Sequence, residues 1–199
     1  DKLKVVFLEN YSVTLSEILM PATDVSEQIS LAGREASGTG NMKAVLNGAL
    51  MMCTCDGANI EIADECSHEN SYEFGLRADD VDRIKSRGYN ATEYYINSER
   101  VRSVLDKMSG TIGGESFNDL VSYLLGHSNY KDSYMCLADF DSYSRTHDIM
   151  LNAYNDREKW NKMALVNIAA SGFFASDRSI EEYAKNIWNL KKVNSANED

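Results

Sequence analysis

The segment that decides the fold runs from Glu27 to Asn47 and reads EQISLAGREASGTGNMKAVLN. Residues 27–32 are a candidate strand, and residues 41–47 have the pattern of a helix that Gly48 stops. The glycine-rich loop between them, residues 33–40, then leads from the carboxyl end of a strand to the start of a helix. Open α/β sheets bind their ligands at that edge. The segment therefore predicts an α/β fold with a ligand site at this loop.

Further strand and helix patterns alternate along the first part of the chain. Strands are predicted at residues 3–8, 49–54 and 72–75, the first because a β-branched apolar run is typical of a strand buried on both faces. A helix is predicted at residues 12–20, ending before Pro21, and Asp56-Gly57 predicts a turn. We therefore expect residues 1–77 to form a partial Rossmann-like, doubly wound parallel sheet.

The second half of the sequence is mainly helical in pattern. Helices are predicted at residues 90–108, 116–125, 154–170 and 179–190, with a capping box at the start of the first and glycines at the ends of the next two. Residues 109–115, SGTIGGE, resemble a loose linker. We expect residues 78–190 to form a helical cover of the same domain and residues 191–199 to be a frayed tail.

Composition and charge restrict the possible partners. The 199 residues carry a formal net charge of −11, which repels phosphate backbones and anionic lipid, so we expect no nucleic-acid and no membrane partner. No apolar run approaches the ~20 residues of a membrane span. The four cysteines are too few for a disulfide scaffold, and neither they nor the three histidines have metal-ligand spacing. We expect a cytoplasmic protein without a metal.

The glycine-rich loop has the composition of an anion site. Gly38 and Gly40 allow close approach of the backbone to a bound group, and the N–H groups of Thr39, Gly40 and Asn41 lie at a helix start, where the helix dipole favours an anion. Two nucleotide motifs do not fit the loop. A P-loop requires lysine where Thr39 stands, and G-x-G-x-x-G requires glycine where Lys43 stands.

Lys43 lies in the first turn of the predicted helix. The positive end of the helix dipole disfavours a protonated amine there, and a neutral amine is a nucleophile. Such amines form Schiff bases with aldehydes, including pyridoxal phosphate, whose phosphate can use the neighbouring N–H groups. The alternative is that Lys43 is a solvated helix lysine and that the glycines only shape a turn.

Other polar side chains are predicted at the same edge of the sheet. Glu35 and Ser37 suit the binding of vicinal sugar hydroxyls, although exposed loop polarity explains them equally well. Tyr11 follows the first predicted strand, so its phenol either reaches the site or packs in the core. Asp56 follows another strand and is either a turn residue or part of the pocket.

The sequence as a whole resembles the α-glucan phosphorylases, the family of glycogen, starch and maltodextrin phosphorylases. The motif EASGTGNMK at residues 35–43 is highly specific to this family. The other matching motifs are ENYSV (9–13), MPA (20–22), SEQIS (26–30), LNG (46–48), DGAN (56–59), RGY (87–89), EYY (93–95), SDRSI (176–180), YA (183–184) and IW (187–188).

The resemblance implies a cofactor and a division of roles within the loop. Lys43 would be the catalytic lysine that carries pyridoxal 5'-phosphate as a Schiff base, and the cofactor phosphate would act as proton donor and acceptor beside the substrate phosphate. The cofactor would also be bound by Thr39, Gly40, Asn41 and Tyr11. The transferred glucosyl unit would be bound by Glu35, Ser37 and Gly38.

The resemblance also implies an activity and a larger protein. The substrates would be α-1,4-glucan and inorganic phosphate, the product glucose 1-phosphate, and the full-length enzyme a homodimer. The 199 residues would be the C-terminal portion of a two-domain glycosyltransferase-B-type architecture, without the N-terminal domain and the early segment of the C-terminal domain. Because those segments supply the basic ligands of the substrate phosphate, we expect this chain alone to be inactive.

A few positions depart from the family pattern. Arg34 replaces a small polar residue, Ala44 replaces an aromatic residue, and Ser12 stands where some members have an arginine near the cofactor phosphate. The changes at Arg34 and Ala44 remove no reacting group, whereas Ser12 implies that one basic contact to the cofactor phosphate is absent. The alternatives from other classes are a non-catalytic α/β module that binds a phosphorylated ligand and a nucleotide-sugar glycosyltransferase.

Overall fold

A three-stranded parallel sheet organises the first half of the chain. The computed structural model describes residues 3–126 and 132–191. The sheet contains β1 (Val25–Gln28), β2 (Leu50–Thr54) and β3 (Ser71–Phe74), in the order β1-β2-β3. The register places Val25 opposite Leu50 and Met51 opposite Ser71. The predicted α/β class with a small parallel sheet followed by helices is confirmed.

The central strand β2 is buried along its whole length, because helices cover both faces of the sheet. On one face, Met51 and Cys53 pack with the helices α2 (Gly40–Leu46) and α3 (Ala58–Cys66). On the other face, Leu50 and Met52 pack with α8 (Cys136–Tyr154) and α9 (Arg157–Ala170). Successive residues of β2 therefore contribute to two separate clusters, as a parallel strand buried on both faces requires.

The remaining α-helices of the described ranges contribute no residue to these two clusters. They are α1 (Val13–Ala22), α4 (Ala78–Arg87), α5 (Ala91–Asn97), α6 (Glu99–Met108), α7 (Asn118–Leu124) and α10 (Ser176–Asn186), with short 3-10 turns at His68–Asn70 and Ser171–Phe174. None of the helices in the described ranges is both long enough and apolar enough to cross a membrane.

The strand predicted at residues 3–8 is wrong. These residues form no strand, and the exposed fractions of Leu3, Val5 and Phe7 are 83, 83 and 89%. A β-branched run forms a strand only when another strand pairs with it, and no strand within the described residues does so. The second predicted strand is shifted, because pairing with β2 is confined to Val25–Gln28.

The end of the first helix also differs from the prediction. Pro21 lies within the last turn of α1, and the helix ends one residue later, at Ala22. A proline so close to the end removes one backbone hydrogen bond without interrupting many further turns. The sequence therefore predicts the end of this helix two residues too early, at Met20 instead of Ala22.

Three features of the second half differ from the sequence pattern. The predicted helix 90–108 is two helices, because the buried Ser98 accepts from Val101 N at 3.1 Å and so starts α6. The expected linker is a β-hairpin of β4 (Thr111–Ile112) and β5 (Glu115–Ser116). Helix α8 was not predicted. Of the expected tail, only Lys191 lies within the described residues.

Candidate functional site

The glycine-rich loop follows β1 and ends at the start of α2, at the carboxyl edge of the sheet. The sequence predicts this strand-loop-helix order, and the structure has it. The loop lies against a second connection, residues 55–57, which joins β2 to α3. The two connections meet because the parallel strands β1 and β2 end at the same edge.

Asp56 holds the first half of the loop. Its buried carboxylate, 5% exposed, accepts hydrogen bonds from the backbone N–H of Gly33 at 2.8 Å, Arg34 at 3.3 Å and Glu35 at 2.8 Å. The hydroxyl of Ser30 donates to the same carboxylate at 3.0 Å. Bonds to an ionised acceptor are stronger than neutral ones, so this carboxylate fixes the course of the loop.

A second attachment lies at Gly57. The N–H of Ala58 donates to the carbonyl of Ser37 at 2.8 Å. The backbone approach is so close that a Cβ on Gly57 would lie 2.7 Å from the carbonyl oxygen of Ser37 and 2.9 Å from that of Glu35. Gly57 also has a φ of +50°, which favours glycine. The Asp56-Gly57 turn therefore contacts the loop by both its carboxylate and its backbone.

A chain of buried amides anchors the end of the loop. The Asn41 side chain, 2% exposed, donates to Oδ1 of Asn59 at 2.8 Å, and Asn59 donates to the carbonyl of Thr54 at 3.1 Å. The hydroxyl of Thr54 donates to the carbonyl of Ser30 at 2.7 Å. The side chain of Asn41 is thus occupied within the protein, and only its backbone N–H remains for a ligand.

The remaining N–H groups lie in the second half of the loop. The N–H of Ser37 donates to Oε1 of Glu35 at 3.3 Å, and the first bond of α2 runs from Lys43 N to the carbonyl of Thr39 at 3.1 Å. The N–H groups of Thr39, Gly40 and Asn41 precede that bond, and N–H groups at this position have no intrahelical acceptor. These N–H groups are therefore the donors that a ligand at the start of the seven-residue helix α2 would meet.

The two glycines of the anion site differ in their surroundings. Gly38 has a φ of +85°, and a Cβ there would lie 3.3 Å from the side-chain nitrogen of Asn41. Gly40 is helical, and a Cβ there would meet nothing within 4 Å. Gly38 is therefore required by the backbone conformation, whereas Gly40 borders open space at the helix start.

Lys43 is exposed on α2 and lines two surface cavities. One has a volume of about 330 Å³ and lies between α1 and α2, and the other has a volume of about 280 Å³ and lies between α2 and the turn Ser171–Phe174. The first cavity is lined by Val13, Ser16, Glu17, Met20, Pro21, Lys43 and Asn47. Among the residues that the structure describes, Lys43 is the only cationic side chain that lines either cavity.

The other predicted site residues lie on the surface. Tyr11 is 58% exposed, two residues before Val13 of the larger cavity, and it forms no hydrogen bond with any residue in the described ranges. Glu35 is exposed, and the exposed hydroxyl of Ser37 donates to the carbonyl of Gly38 at 3.2 Å. The loop brings Glu35, Ser37 and Gly38 together, while Tyr11 lies on a separate segment.

A polar cluster adjoins the site at Cys55. Its thiol donates to Oε2 of Glu73 at 3.1 Å, while Oε1 of Glu73 contacts His68 Nδ1. Burial, followed by the hydrogen bond and charge of Glu73, raises the pKa of Cys55 to about 11, so the thiol is protonated at neutral pH. The Glu73 contact likewise raises the pKa of His68. Over residues 3–126 and 132–191, no group of His, Cys, Asp and Glu is arranged to hold a metal ion.

The fold and the loop are those of a known class of protein. The sequence matches the family model of carbohydrate phosphorylases over residues 1–190. Because this match covers nearly the whole chain, the chain belongs to the carbohydrate phosphorylase family. The resemblance inferred from the motif at residues 35–43 is confirmed.

The particular relatives are glycogen phosphorylases. The chain is 47% identical to the liver form of glycogen phosphorylase from Homo sapiens over 202 residues, which comprise 100% of this chain and 24% of that protein. It is 45% identical to the muscle forms from Mus musculus and Oryctolagus cuniculus over 195 residues, 96% of this chain and 23% of each relative. The chain thus spans about a quarter of the length of the curated relatives it matches.

Proposed function

We propose that this chain is the cofactor-carrying part of a glycogen or α-glucan phosphorylase. The whole enzyme would be a glycosyltransferase that cleaves terminal α-1,4 glucosidic bonds with inorganic phosphate and releases glucose 1-phosphate. The observation that carries the proposal is the position of Lys43, one turn after the N–H groups of Thr39, Gly40 and Asn41 and on the wall of a cavity. The family membership and the names of the relatives support the same reaction.

The residues present suit pyridoxal 5'-phosphate. This cofactor requires a primary amine for covalent attachment, a site for its phosphate, and room for its ring. Lys43 would supply the amine, and the N–H groups of residues 39–41 would bind the phosphate beside the open space at Gly40. The 330 Å³ cavity between α1 and α2 would receive the ring, with Tyr11 near its α1 end.

The rest of the loop would bind the sugar. When bound, the cofactor would supply a phosphate group that donates and accepts a proton beside the substrate phosphate. Glu35 would accept hydrogen bonds from hydroxyls of the glucosyl unit, Ser37 would donate to it, and the lack of a side chain at Gly38 would allow close approach. These groups orient the sugar, since their backbone is held by Asp56 and Ala58.

Three further proposals concern the protein as a whole. We propose a homodimer in the cytoplasm, where the four free thiols remain reduced. We also propose that these 199 residues alone do not release glucose 1-phosphate. The second phosphate group in the reaction needs a cation, and within the described parts of the chain Lys43 is the only cationic residue lining the two cavities.

A matched pair of lysine variants tests the proposed function in the full-length enzyme of which this chain would be a part. Lys43→Ala should abolish bound pyridoxal phosphate, measured by absorbance, and phosphorolysis of glycogen, measured as glucose 1-phosphate release. Lys162→Ala removes an exposed lysine of α9 and should change neither. Full activity of Lys43→Ala would contradict the proposal. Phosphate binding at the loop without cofactor on Lys43 would instead favour the non-catalytic module.

A further inference from the structure

We propose that Asp56 is the positioning residue of the cofactor-phosphate site, acting from the end of β2 on a loop that begins more than 20 residues earlier in the chain. This proposal rests on the proposed function, because it assigns to the N–H groups of residues 39–41 the binding of a phosphate. Asp56 would not touch that phosphate. It would act through the backbone of Gly33, Arg34 and Glu35.

The side-chain carboxylate of Asp56 accepts its hydrogen bonds from the loop and from Ser30, which lies just before the loop. Both carboxylate oxygens accept, Oδ1 from Gly33 and Oδ2 from Ser30, Arg34 and Glu35. In the described parts of the chain no lysine, arginine or histidine forms an ion pair with this carboxylate. A buried carboxylate without a cation depends on its N–H donors, so the loop and the carboxylate stabilise one another.

This bonding divides the loop into two parts. The N–H groups of residues 33–35 are used by Asp56, while those of residues 39–41 are left for a ligand. A loop with three glycines has many accessible conformations, and fixing its first half restricts the second. The N–H of Ala58, directly after the close approach at Gly57, fixes the loop again at the carbonyl of Ser37. Phosphate binding then requires little further ordering, which is the energetic benefit of preorganisation.

The isosteric variant Asp56→Asn tests the role of the carboxylate. An asparagine keeps one acceptor oxygen but turns an N–H₂ group toward backbone donors. We expect hydrogen exchange in residues 33–41 of the full chain to become at least about tenfold faster, as loss of a charge-assisted bond implies. Exchange in β2, residues 50–54, should be unchanged. The matched control is Asp106→Asn, which alters an exposed aspartate bonded to Tyr95.

The second readout separates positioning of the phosphate site from general damage. The apoprotein is titrated with pyridoxal phosphate and with pyridoxal, which lacks the phosphate. We expect Asp56→Asn to weaken binding of pyridoxal phosphate about tenfold and to leave binding of pyridoxal unchanged. Gly57→Ala, which displaces the same loop from its other attachment, should give the same selective loss, whereas Gly110→Ala, with only an ordinary contact at 3.5 Å, should not.

The outcomes are distinguishable. Equal weakening of both ligands, unchanged exchange in residues 33–41, or faster exchange that extends through β2 would each overturn the assignment of Asp56. If the unmodified protein does not prefer pyridoxal phosphate over pyridoxal, the proposed function fails, while the exchange experiment still reports whether Asp56 holds the loop.

Discussion

The backbone N–H of Glu35 donates to Oδ2 of Asp56 at 2.8 Å, although the two residues are 21 positions apart. Through this bond, a carboxylate at the end of one strand sets the position of a residue proposed to bind sugar after the neighbouring strand. Glu35 in turn accepts from Ser37 N at 3.3 Å. The residues proposed to bind the sugar and those proposed to bind the phosphate therefore lie on one loop that Asp56 supports.

Alanine substitutions at the two glycines of the anion site should have opposite effects on stability. Gly38→Ala should destabilise the fold by about 1–2 kcal/mol, because φ is +85° and the new Cβ crowds Asn41. Gly40→Ala should stabilise it by about 0.5–1 kcal/mol, because the position is helical and open. Urea unfolding followed by the fluorescence of the buried Trp160 measures both. Equal effects of the two variants would contradict the loop geometry.

Asp139 should make stability depend on pH. Burial raises the pKa of this carboxyl, and the hydrogen bond that Oδ1 accepts from Leu76 N at 2.7 Å opposes the rise only in part. A folded-state pKa above the unfolded one favours folding at low pH, and the benefit is lost as pH rises through the folded pKa. Asp139→Asn keeps the acceptor and removes the charge.

The measurement is the difference in free energy of unfolding between the unmodified protein and Asp139→Asn across a series from pH 4 to 8. As pH rises, the free energy of unfolding of the unmodified protein should fall relative to that of Asp139→Asn. A difference that is independent of pH, or that shifts the other way, would contradict a raised pKa of Asp139 in the folded protein.

The thiol of Cys55 should react slowly with alkylating reagents, and substitution of its hydrogen-bond partner Glu73 should make it react faster. Its pKa is raised to about 11 by burial and then by Glu73. Glu73→Gln removes the carboxylate charge, so the thiolate fraction and the alkylation rate at pH 8 should rise several-fold. Cys66, whose pKa is raised by burial and then by the charge of Glu65, is the internal control and should stay slow. An unchanged rate at Cys55 would exclude this role for Glu73.

The parts of the fold that were predicted correctly depend on local signals. The loop between β1 and α2 and the end of α2 at Gly48 follow from glycines and helix stops that lie within the segment itself. The strand expected at residues 3–8 failed because strand formation depends on a pairing partner elsewhere. Helix α8 was missed because its middle, residues 141–148, is largely polar and hides the apolar positions near its two ends.

The same distinction between local signals and distant contacts holds for the residues of the candidate site. The anion site at residues 39–41 stays a prediction, and the sequence indicates it because the N–H groups and glycines are adjacent along the chain. The sequence leaves Asp56 as either a turn residue or part of the pocket and does not indicate its contact with the loop, since its donors lie 21 to 26 positions away. The one available signal was an Asp-Gly pair directly after a buried strand, at the edge where the loop was already expected. Long-range hydrogen bonding of this kind requires the structure.

The central claim is that Lys43 carries the cofactor, and borohydride reduction of the full chain as purified with pyridoxal phosphate tests it most directly. Trypsin does not cleave after a modified lysine, so the pyridoxyl group should appear on the uncleaved peptide of residues 35–77, between Arg34 and Arg77. Recovery of the unmodified peptide 35–43 with the label on another lysine, or on none, would contradict the account.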